Sequence, residues 1–339
     1  MRARSWVGVV LGSGLLISAV GALAVGDYVY RTGTEVPCGI NDDDLDNSPE
    51  KFTTPVDGPF RGESWNKWIG HDLSDWWLSD TPIETVQIPV ADNIVLEAWW
   101  IKASYPTAQE TVIVTHGFGT SRRDFNTILP ANMLAKEGLN VLLVDQRDTG
   151  NSTCVDGRHS AGQEESDDFV AVSDWLIAEK GIIPEKIGML GISGGAIATA
   201  ILPAKTNNVA AFAMEATIFD FAETARREVE FQGFPGDLWT LADLAAKIRG
   251  VDLNATPISE GIDAAGSRPM LLLHGENDQR LAYEGATKFL NYAEERGVAI
   301  QLETFEGANH TEGMLTETER YADTLVEFFR TALGQASQE

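Results

Sequence analysis

The chain has 339 residues, of which 43% are hydrophobic and 22% are charged, proportions typical of a globular protein and not of a disordered one. Its 51 acidic residues outnumber its 25 lysines and arginines, so the formal net charge is −26 at pH 7. Such an acidic surface repels the phosphates of nucleic acids, which argues against a nucleic-acid-binding protein. The length accommodates one large α/β domain with additional segments.

The first thirty residues differ in character from the rest of the chain. Two arginines precede an uncharged, mostly apolar stretch from Trp6 to Gly26. A helix needs about 20 apolar residues to cross a bilayer, so residues 1–30 predict a transmembrane signal-anchor, with a cleaved signal peptide as the alternative. Because the arginines come first, we expect the N-terminus in the cytoplasm and the body of the protein outside it. The protein is then anchored in the cell membrane by a single span, or secreted if the segment is cleaved.

The segment that follows, residues 31–60, is rich in turn-forming and acidic residues and has no sustained periodicity, which predicts a solvated linker. The two cysteines, Cys38 in this linker and Cys154, allow one disulfide, and an oxidising exterior permits it. Two unpaired thiols are the alternative, since the sequence alone does not bring the two residues together.

Six of the nine tryptophans lie between residues 61 and 103. Tryptophan buries a large area, so we expect these rings to pack an N-terminal hairpin onto the main domain. An exposed aromatic surface for a carbohydrate or a membrane is the alternative.

From residue 83 onward, short β-rich runs alternate with helical stretches. The runs "IETVQIPV" and "NIVLEAWWIKA" predict an antiparallel pair. Five further runs are nearly all apolar, which indicates strands covered on both faces: "TVIVTHG", "NVLLVDQR", "KIGMLGIS", "VAAFAMEA" and "PMLLLHGEND". A strand "AIQLETFEG" and a helix over about 312–333 complete the pattern. It predicts a doubly wound, mostly parallel sheet in one α/β domain over residues 61–339.

The spacing between strands is unusually long at about 217–267, longer than one crossover requires. Two parts of this interval, "FAETARREVEFQGF" and "DLWTLADLAAKIRG", have helical periodicity with polar faces. They predict a small helical cap over the carboxyl edge of the sheet.

The stretch "GISGGA" places Ser193 between glycines, where a predicted strand meets a predicted helix. This matches the pattern G-x-S-x-G of a nucleophile elbow, in which a serine occupies a strained turn and its neighbours must lack bulky side chains. The turn presents the hydroxyl at a helix N-terminus, where the helix dipole favours negative charge. A glycine-rich structural turn that happens to contain a serine is the competing interpretation.

A serine hydroxyl needs a base to take its proton, and the imidazole of that base needs a third group to orient it. His310 lies in the polar loop after the last predicted strand, and Asp278 follows the end of the preceding strand. The order Ser193, Asp278, His310 is the one expected for this strand and helix pattern. Asp220, after the strand before that, is the alternative acid.

Stabilising an oxyanion requires two backbone donors. The N–H of Gly194, directly after the serine, is one candidate, and the N–H of Phe118 in the loop "THGFGTS" is the other. We expect His116 to shape that loop and not to transfer protons. The other three histidines are interpreted as surface or packing residues. No cysteine and histidine cluster has the spacing of metal ligands, so neither a metal nor a cofactor is predicted.

Five motifs together carry a resemblance to a known family: "HGFGTSRRDF", "VDQRDTGNS", "GISGGA", "HGENDQRL" and "GANHTEG". They occur in the order found in α/β-hydrolases, which the chain resembles over about residues 83–333. Within that superfamily it is similar to extracytoplasmic bacterial hydrolases near the serine aminopeptidase and dienelactone hydrolase-like branches. Two positions depart from the pattern. Asp148 stands where many relatives have glycine, and "ADNIVLEAWW" lacks the usual Asp-Gly turn.

These features predict a serine hydrolase that cleaves a carboxylic ester through an acyl-serine intermediate. A serine peptidase or amidase of the aminopeptidase or dipeptidyl type is the first alternative. A non-catalytic, membrane-tethered binding protein on the same fold is the alternative of another class. The expected partners are a small-molecule ester or peptide and, through the N-terminal segment, a membrane.

Overall fold

The computed structural model of the protein describes residues 21–39, 46–55, 63–103 and 109–334. Eight strands form one sheet: β1 Ile83–Ala91, β2 Ile94–Ile101, β3 Thr111–Thr115, β4 Asn140–Val144, β5 Ile187–Ile192, β6 Ala211–Glu215, β7 Met270–Gly275 and β8 Ile300–Phe305. Their spatial order is β1-β2-β4-β3-β5-β6-β7-β8. The chain winds outward in both directions from β3, so the sheet is doubly wound, as predicted.

The sheet is parallel except at one edge. β1 and β2 form an antiparallel hairpin, and β2 also pairs antiparallel with β4. All other neighbours are parallel, in a register that sets Val114 of β3 beside Leu190 of β5. Every residue of β3 to β7 is buried, because helices cover both faces of these strands.

Ten α-helices accompany the strands in the described residues: α1 21–34, α2 Phe125–Lys136, α3 Gln163–Lys180, α4 Gly194–Ile201, α5 Phe221–Phe231, α6 Leu238–Ile248, α7 Ile258–Ala265, α8 Tyr283–Glu295, α9 Gly313–Thr316 and α10 Thr318–Gly334. α2 and α10 pack on one face of the sheet, and α3, α4, α7 and α8 pack on the other. The single helix predicted over about 312–333 is in fact two, since α9 ends at Thr316 and α10 begins at Thr318.

The tryptophan-dense segment packs against the sheet, as expected. Trp65 lies in a short 3₁₀-helix over Glu63–Trp68 and is 2% exposed. The indole N–H of Trp77 donates to the carbonyl of Phe52, and the ring of Phe52 is buried in the same core. Part of the predicted linker is therefore not solvated, because Phe52 adds apolar area to the core beneath these rings.

The predicted cap region divides into two parts. α5 and α6 pack on each other, and α5 has no buried residue, as in a cap. α7 instead packs on α4 with Ile258 and Ile262 buried, so it belongs to the helical layer of the sheet. The cap is thus shorter than the predicted 217–267.

Most of the predicted membrane anchor, residues 1–20, lies outside the described residues. Its last residues belong to α1, which rests on α6 of the cap. Gly26 approaches α6 so closely that a β-carbon would lie 2.2 Å from the carbonyl oxygen of Leu241, and Tyr30 is buried beside Ala242. Among the described helices, none is long and apolar enough to cross a bilayer.

Cys38 and Cys154 form a disulfide, with their α-carbons 5.6 Å apart. The bond fastens the segment after α1 to the loop that follows β4. A backbone hydrogen bond of 2.9 Å from the N–H of Val36 to the carbonyl of Gly157 runs alongside it. The alternative of two unpaired thiols is wrong.

Candidate active site

Ser193 lies between the end of β5 and the start of α4, at the carboxyl edge of the sheet. Its φ of 51° and ψ of −109° lie outside the ordinary regions for a residue with a side chain, so the turn is strained. The flanking glycines allow it. A β-carbon on Gly191 would lie 2.3 Å from the carbonyl oxygen of Gly195, and one on Gly195 would lie 2.6 Å from that of His116. The elbow geometry therefore requires this glycine pattern.

His310 joins Ser193 to Asp278 through hydrogen bonds. Its Nε2 lies 2.9 Å from the hydroxyl oxygen of Ser193, and its Nδ1 lies 2.8 Å from Oδ2 of Asp278. The three residues come from the ends of β5, β7 and β8, which parallel pairing brings to one edge of the sheet. With Nδ1–H donating to the carboxylate, Nε2 is free to accept the serine proton.

Asp278 is 6% exposed and several groups stabilise its negative charge. The N–H groups of Leu281 and Arg280 donate to its Oδ1 at 2.7 and 2.9 Å, and Nε2 of His274 lies 3.5 Å from its Oδ2. Burial alone raises the pKa of such a carboxyl. The charge and hydrogen bond of His310, with the smaller effects of His274 and the Leu281 amide, hold the pKa of Asp278 below its usual value. Asp278 is therefore ionised at neutral pH.

The alternative acid, Asp220, has a different role in the structure. It is the N-cap of α5, where its side chain accepts the N–H of Glu223 at 2.9 Å. It lines a shallow groove between α5 and the loop after Asp278, together with Arg227 and Arg280. Asp278, and not Asp220, forms the hydrogen bond to His310.

The two expected oxyanion donors lie beside each other and beside the serine. Gly117 approaches Ser193 so that a β-carbon on it would lie 3.4 Å from that of the serine, and a β-carbon on Gly194 would lie 2.8 Å from the amide nitrogen of Phe118. Within the described residues, the N–H groups of Phe118 and Gly194 have no hydrogen-bond partner. Two neighbouring free N–H groups next to a serine hydroxyl can receive a developing oxyanion.

The loop that carries Phe118 is held from beneath by His116. Its Nδ1 lies 2.8 Å from the carbonyl oxygen of Gly117, and its Nε2 accepts the N–H of Gln146 at 3.0 Å. Complete burial lowers the pKa of His116, so the ring is neutral and both nitrogens are occupied in holding the loop. The Phe118 ring in turn packs edge-on against His159, with centroids 5.4 Å apart.

Sequence reasoning missed a second carboxyl behind the acid. Glu215 ends β6, is fully buried and has no hydrogen-bonded carboxylate oxygen among the described residues. Burial raises the pKa of Glu215 well above its usual value, and the negative charge of Asp278 raises it further. Tyr321 lowers this pKa by a smaller amount. Burial therefore favours the neutral form of the Glu215 side chain. The sequence did offer one signal for a residue near the active site, since Glu215 ends a strand that lies directly beside β5.

Asn309 was also missed, although it stands next to His310 in the sequence. Its Oδ1 accepts the N–H of His310 at 2.7 Å and that of Gln279 at 2.9 Å. One side-chain oxygen thus joins the loop of the histidine to the loop of the acid.

One group of potential metal ligands occurs in the described residues, consisting of Cys38, Asp148 and Cys154. The disulfide engages both sulfur atoms of this group. Asp148 has a φ of 62° and its Oδ1 accepts the N–H groups of Asp156 and Gly157, each at 2.9 Å. This carboxylate therefore serves the local turn.

Comparison with known proteins identifies the family. Residues 125–336 match the model of the prolyl oligopeptidase family. The chain belongs to the prolyl oligopeptidase family. It is accordingly an α/β-hydrolase, and the matched region includes Ser193, Asp278 and His310. The narrower bacterial branch suggested by the motifs stays a prediction.

Similar proteins include both esterases and peptidases. The human protein ABHD12B is 27% identical over 199 residues, which are 57% of this chain and 52% of the human protein. The chain thus spans about half the length of that relative. The Pyrococcus furiosus esterase Pf2001 shares the fold with a TM-score of 0.60 and 22% identity, over 83% of this chain and 97% of that one. A puromycin-hydrolysing peptidase of Mycobacterium tuberculosis also shares the fold, with a TM-score of 0.62 and 18% identity. The match covers 75% of this chain and 40% of that one.

Proposed function

We propose that the protein is a serine hydrolase that transfers an acyl group to water through an acyl-serine intermediate. The observation that carries this proposal is the continuous hydrogen-bonded series from Ser193 through His310 to Asp278. Membership of the prolyl oligopeptidase family supports it.

In the first half of the reaction, the Ser193 oxygen attacks the carbonyl carbon of the substrate while Nε2 of His310 takes the hydroxyl proton. The carbonyl oxygen becomes an oxyanion, which the N–H groups of Phe118 and Gly194 bind. Asp278 keeps the imidazole in the required tautomer and stabilises its positive charge. The tetrahedral intermediate then collapses, and His310 gives the proton to the leaving group.

In the second half, water replaces the leaving group. His310 takes a proton from the water as its oxygen attacks the acyl carbon, and a second oxyanion forms in the same place. When this intermediate collapses, the bond to Ser193 breaks and the proton returns to the serine oxygen. The products are a carboxylic acid and the alcohol or amine that left first.

A carboxylic ester is the proposed substrate. An ester needs only an acyl pocket and the groups named above, whereas trimming a peptide from its terminus also needs a site for a charged terminus. A peptidase is the second candidate, and the family match favours it. The charged groove beside the acid loop, which contains Asp220 and Arg227, is where a terminus would bind in that case.

The test compares two substrate series, p-nitrophenyl esters from acetate to decanoate and aminoacyl or dipeptidyl p-nitroanilides. Ser193→Ala is the control for each series. Ester turnover that disappears in the variant supports an esterase, and turnover of anilides alone supports a peptidase. If neither series is cleaved and a fluorophosphonate probe leaves Ser193 unlabelled, the hydrolase proposal is wrong and a binding protein becomes the better interpretation.

The proposed location is outside the cytoplasm. The apolar stretch from Trp6 to Gly26 and the Cys38–Cys154 disulfide support it, since disulfides persist in oxidising compartments. Accessibility of the protein to added protease in intact cells, before and after permeabilisation, tests this location.

A further inference from the structure

The 3₁₀-helix Glu63–Trp68 lies against the loop that carries His310, although Trp68 and His310 are 242 positions apart in the chain. The contact is made through Glu312. The indole N–H of Trp68 donates to Oε1 of Glu312, and Nζ of Lys67 lies 2.8 Å from the same oxygen. The Lys67 ammonium also lies 5.1 Å from the centroid of the Trp68 ring. These two residues therefore contact the same carboxylate oxygen and each other.

Glu312 connects this contact to the loops of the active site. Its second oxygen, Oε2, accepts the N–H of Asn309 at 2.8 Å. Asn309 in turn accepts the N–H groups of His310 and Gln279 on its side-chain oxygen. A chain of hydrogen bonds thus runs from the indole of Trp68 to the backbone on both sides of the His310–Asp278 contact.

The environment of Glu312 makes these partners necessary. Its side chain is 1% exposed, whereas that of Lys67 is 54% exposed. A buried carboxylate that loses a donor is costly unless water or another group replaces that donor. Glu312 is two residues from His310, so we expect a rearrangement that admits water at Glu312 to displace the imidazole.

The backbone between them is already strained. Thr311 has a φ of 54°, which is an unfavourable conformation for a β-branched residue. Its hydroxyl oxygen accepts a hydrogen bond of 3.2 Å from the side chain of Asn126. A strained turn persists only where contacts from the surrounding structure hold it in place. The hydrogen bonds of Glu312 are among the contacts that hold this turn.

We infer that Trp68 and Lys67 are positioning residues for His310 and act through Glu312. The inference rests on the proposed function, since positioning matters for catalysis only if His310 transfers protons. It assigns the N-terminal tryptophan segment a role in the reaction beyond covering the core.

The test is made in the full chain with Trp68→Phe, and Trp77→Phe is the matched control. Both changes remove one indole hydrogen bond from the same layer, but the partner of Trp77 is the carbonyl of Phe52, away from the catalytic loops. We expect Trp68→Phe to lower kcat roughly tenfold to a hundredfold, with KM changed less than twofold, because small displacements of a catalytic group have effects of that size. Trp77→Phe leaves kcat within twofold of the wild type.

Lys67 provides a second variant pair at an exposed position, where a substitution leaves the hydrophobic core intact. Lys67→Met lowers kcat, whereas Lys67→Arg restores most of the loss because it keeps the positive charge beside Glu312. Unchanged kcat in both Trp68→Phe and Lys67→Met overturns the inference, as does an equal loss of kcat in Trp77→Phe.

A readout independent of turnover separates this inference from the proposed function. The proton between Nδ1 of His310 and Asp278 gives a downfield resonance in the NMR spectrum, identified by its absence in His310→Gln. We expect Trp68→Phe to shift or broaden this resonance and Trp77→Phe to leave it in place. If the wild type hydrolyses nothing, the proposed function fails, while this resonance still decides whether Trp68 positions the ring.

Discussion

Gly194 lies so close to Phe118 that a β-carbon on the glycine would stand 2.8 Å from the amide nitrogen of Phe118. The space in front of that N–H is the space in which the oxyanion is proposed to form. We expect Gly194→Ala to block it or to push the Phe118 loop aside, and to lower kcat by roughly a hundredfold or more, the effect of losing one oxyanion donor. Steady-state kinetics with the best ester of the series measures this change.

The matched control is Gly33→Ala in α1, since a β-carbon at Gly33 meets no heavy atom within 4 Å. Both glycines are helical and neither has a positive φ, so the helix propensity changes in the same direction. Wild-type kcat in Gly194→Ala would show that the oxyanion forms elsewhere.

The assignment of the acid is tested by Asp278→Asn. The amide no longer holds His310 in the tautomer that accepts the serine proton, so we expect kcat to fall by roughly 10³ to 10⁴-fold. Asp220→Asn makes the same change at the other candidate acid. It retains a capping side chain for α5, because asparagine caps helices as well as aspartate does, and it leaves kcat near the wild-type value. The opposite ranking of the two variants would identify Asp220 as the acid.

Glu215 gives a prediction for the pH dependence of stability. The pKa of Glu215 is higher in the folded protein than in the unfolded chain. At a pH between these two pKa values, Glu215 has lost its proton in the unfolded chain and keeps it in the folded protein. The contribution of Glu215 to the free energy of unfolding therefore falls by about 1.4 kcal/mol per pH unit as the pH rises through that range, starting near the ordinary pKa of glutamate. Glu215→Gln removes this slope, since glutamine resembles the neutral acid and does not titrate.

The measurement is urea unfolding of wild type and variant at several pH values from 4 upward. The variant gains stability relative to the wild type as the pH rises, whatever the constant offset between them. Glu319→Gln, an exposed position on α10, is the control for the loss of one acidic residue. Parallel curves for wild type and Glu215→Gln would show that Glu215 is already ionised in the folded state.

Local patterns predicted the sheet and the three residues that share hydrogen bonds, because strand order and strand ends determine where those residues lie. The departures noted in the motifs have local explanations as well. Asn93 takes the positive φ of 64° that glycine usually supplies in a hairpin turn, and Asp148 takes one of 62°. Asparagine and aspartate tolerate this conformation better than other residues with side chains.

The contacts between distant segments were beyond prediction from the sequence. Trp68 donates a hydrogen bond to Glu312, and the charge of Asp278 acts on Glu215. Both pairs come together only because the chain folds these segments onto the same edge of the sheet. Neither pair has a spacing or a periodicity that marks it. The linker interpretation failed at Phe52 for the same reason, since a lone aromatic residue in a polar stretch carries no signal of what it packs against.

The Cys38–Cys154 disulfide closes a loop with a sequence separation of 116, so it restricts the unfolded chain strongly. In the chain-entropy model, a loop of about this length corresponds to roughly 4 to 5 kcal/mol of stability. We expect a reductant, or the double variant Cys38→Ser with Cys154→Ser, to lower the free energy of unfolding by an amount of this order. Urea unfolding with and without reductant measures it, and thiol titration verifies that the bond has been reduced.

The double variant must not respond to the reductant. An unchanged unfolding midpoint in the fully reduced wild type would contradict this prediction. It would mean that the hydrogen bond between Val36 and Gly157 holds the segment without the disulfide. It would also mean that strain in the native disulfide offsets its effect on the unfolded chain.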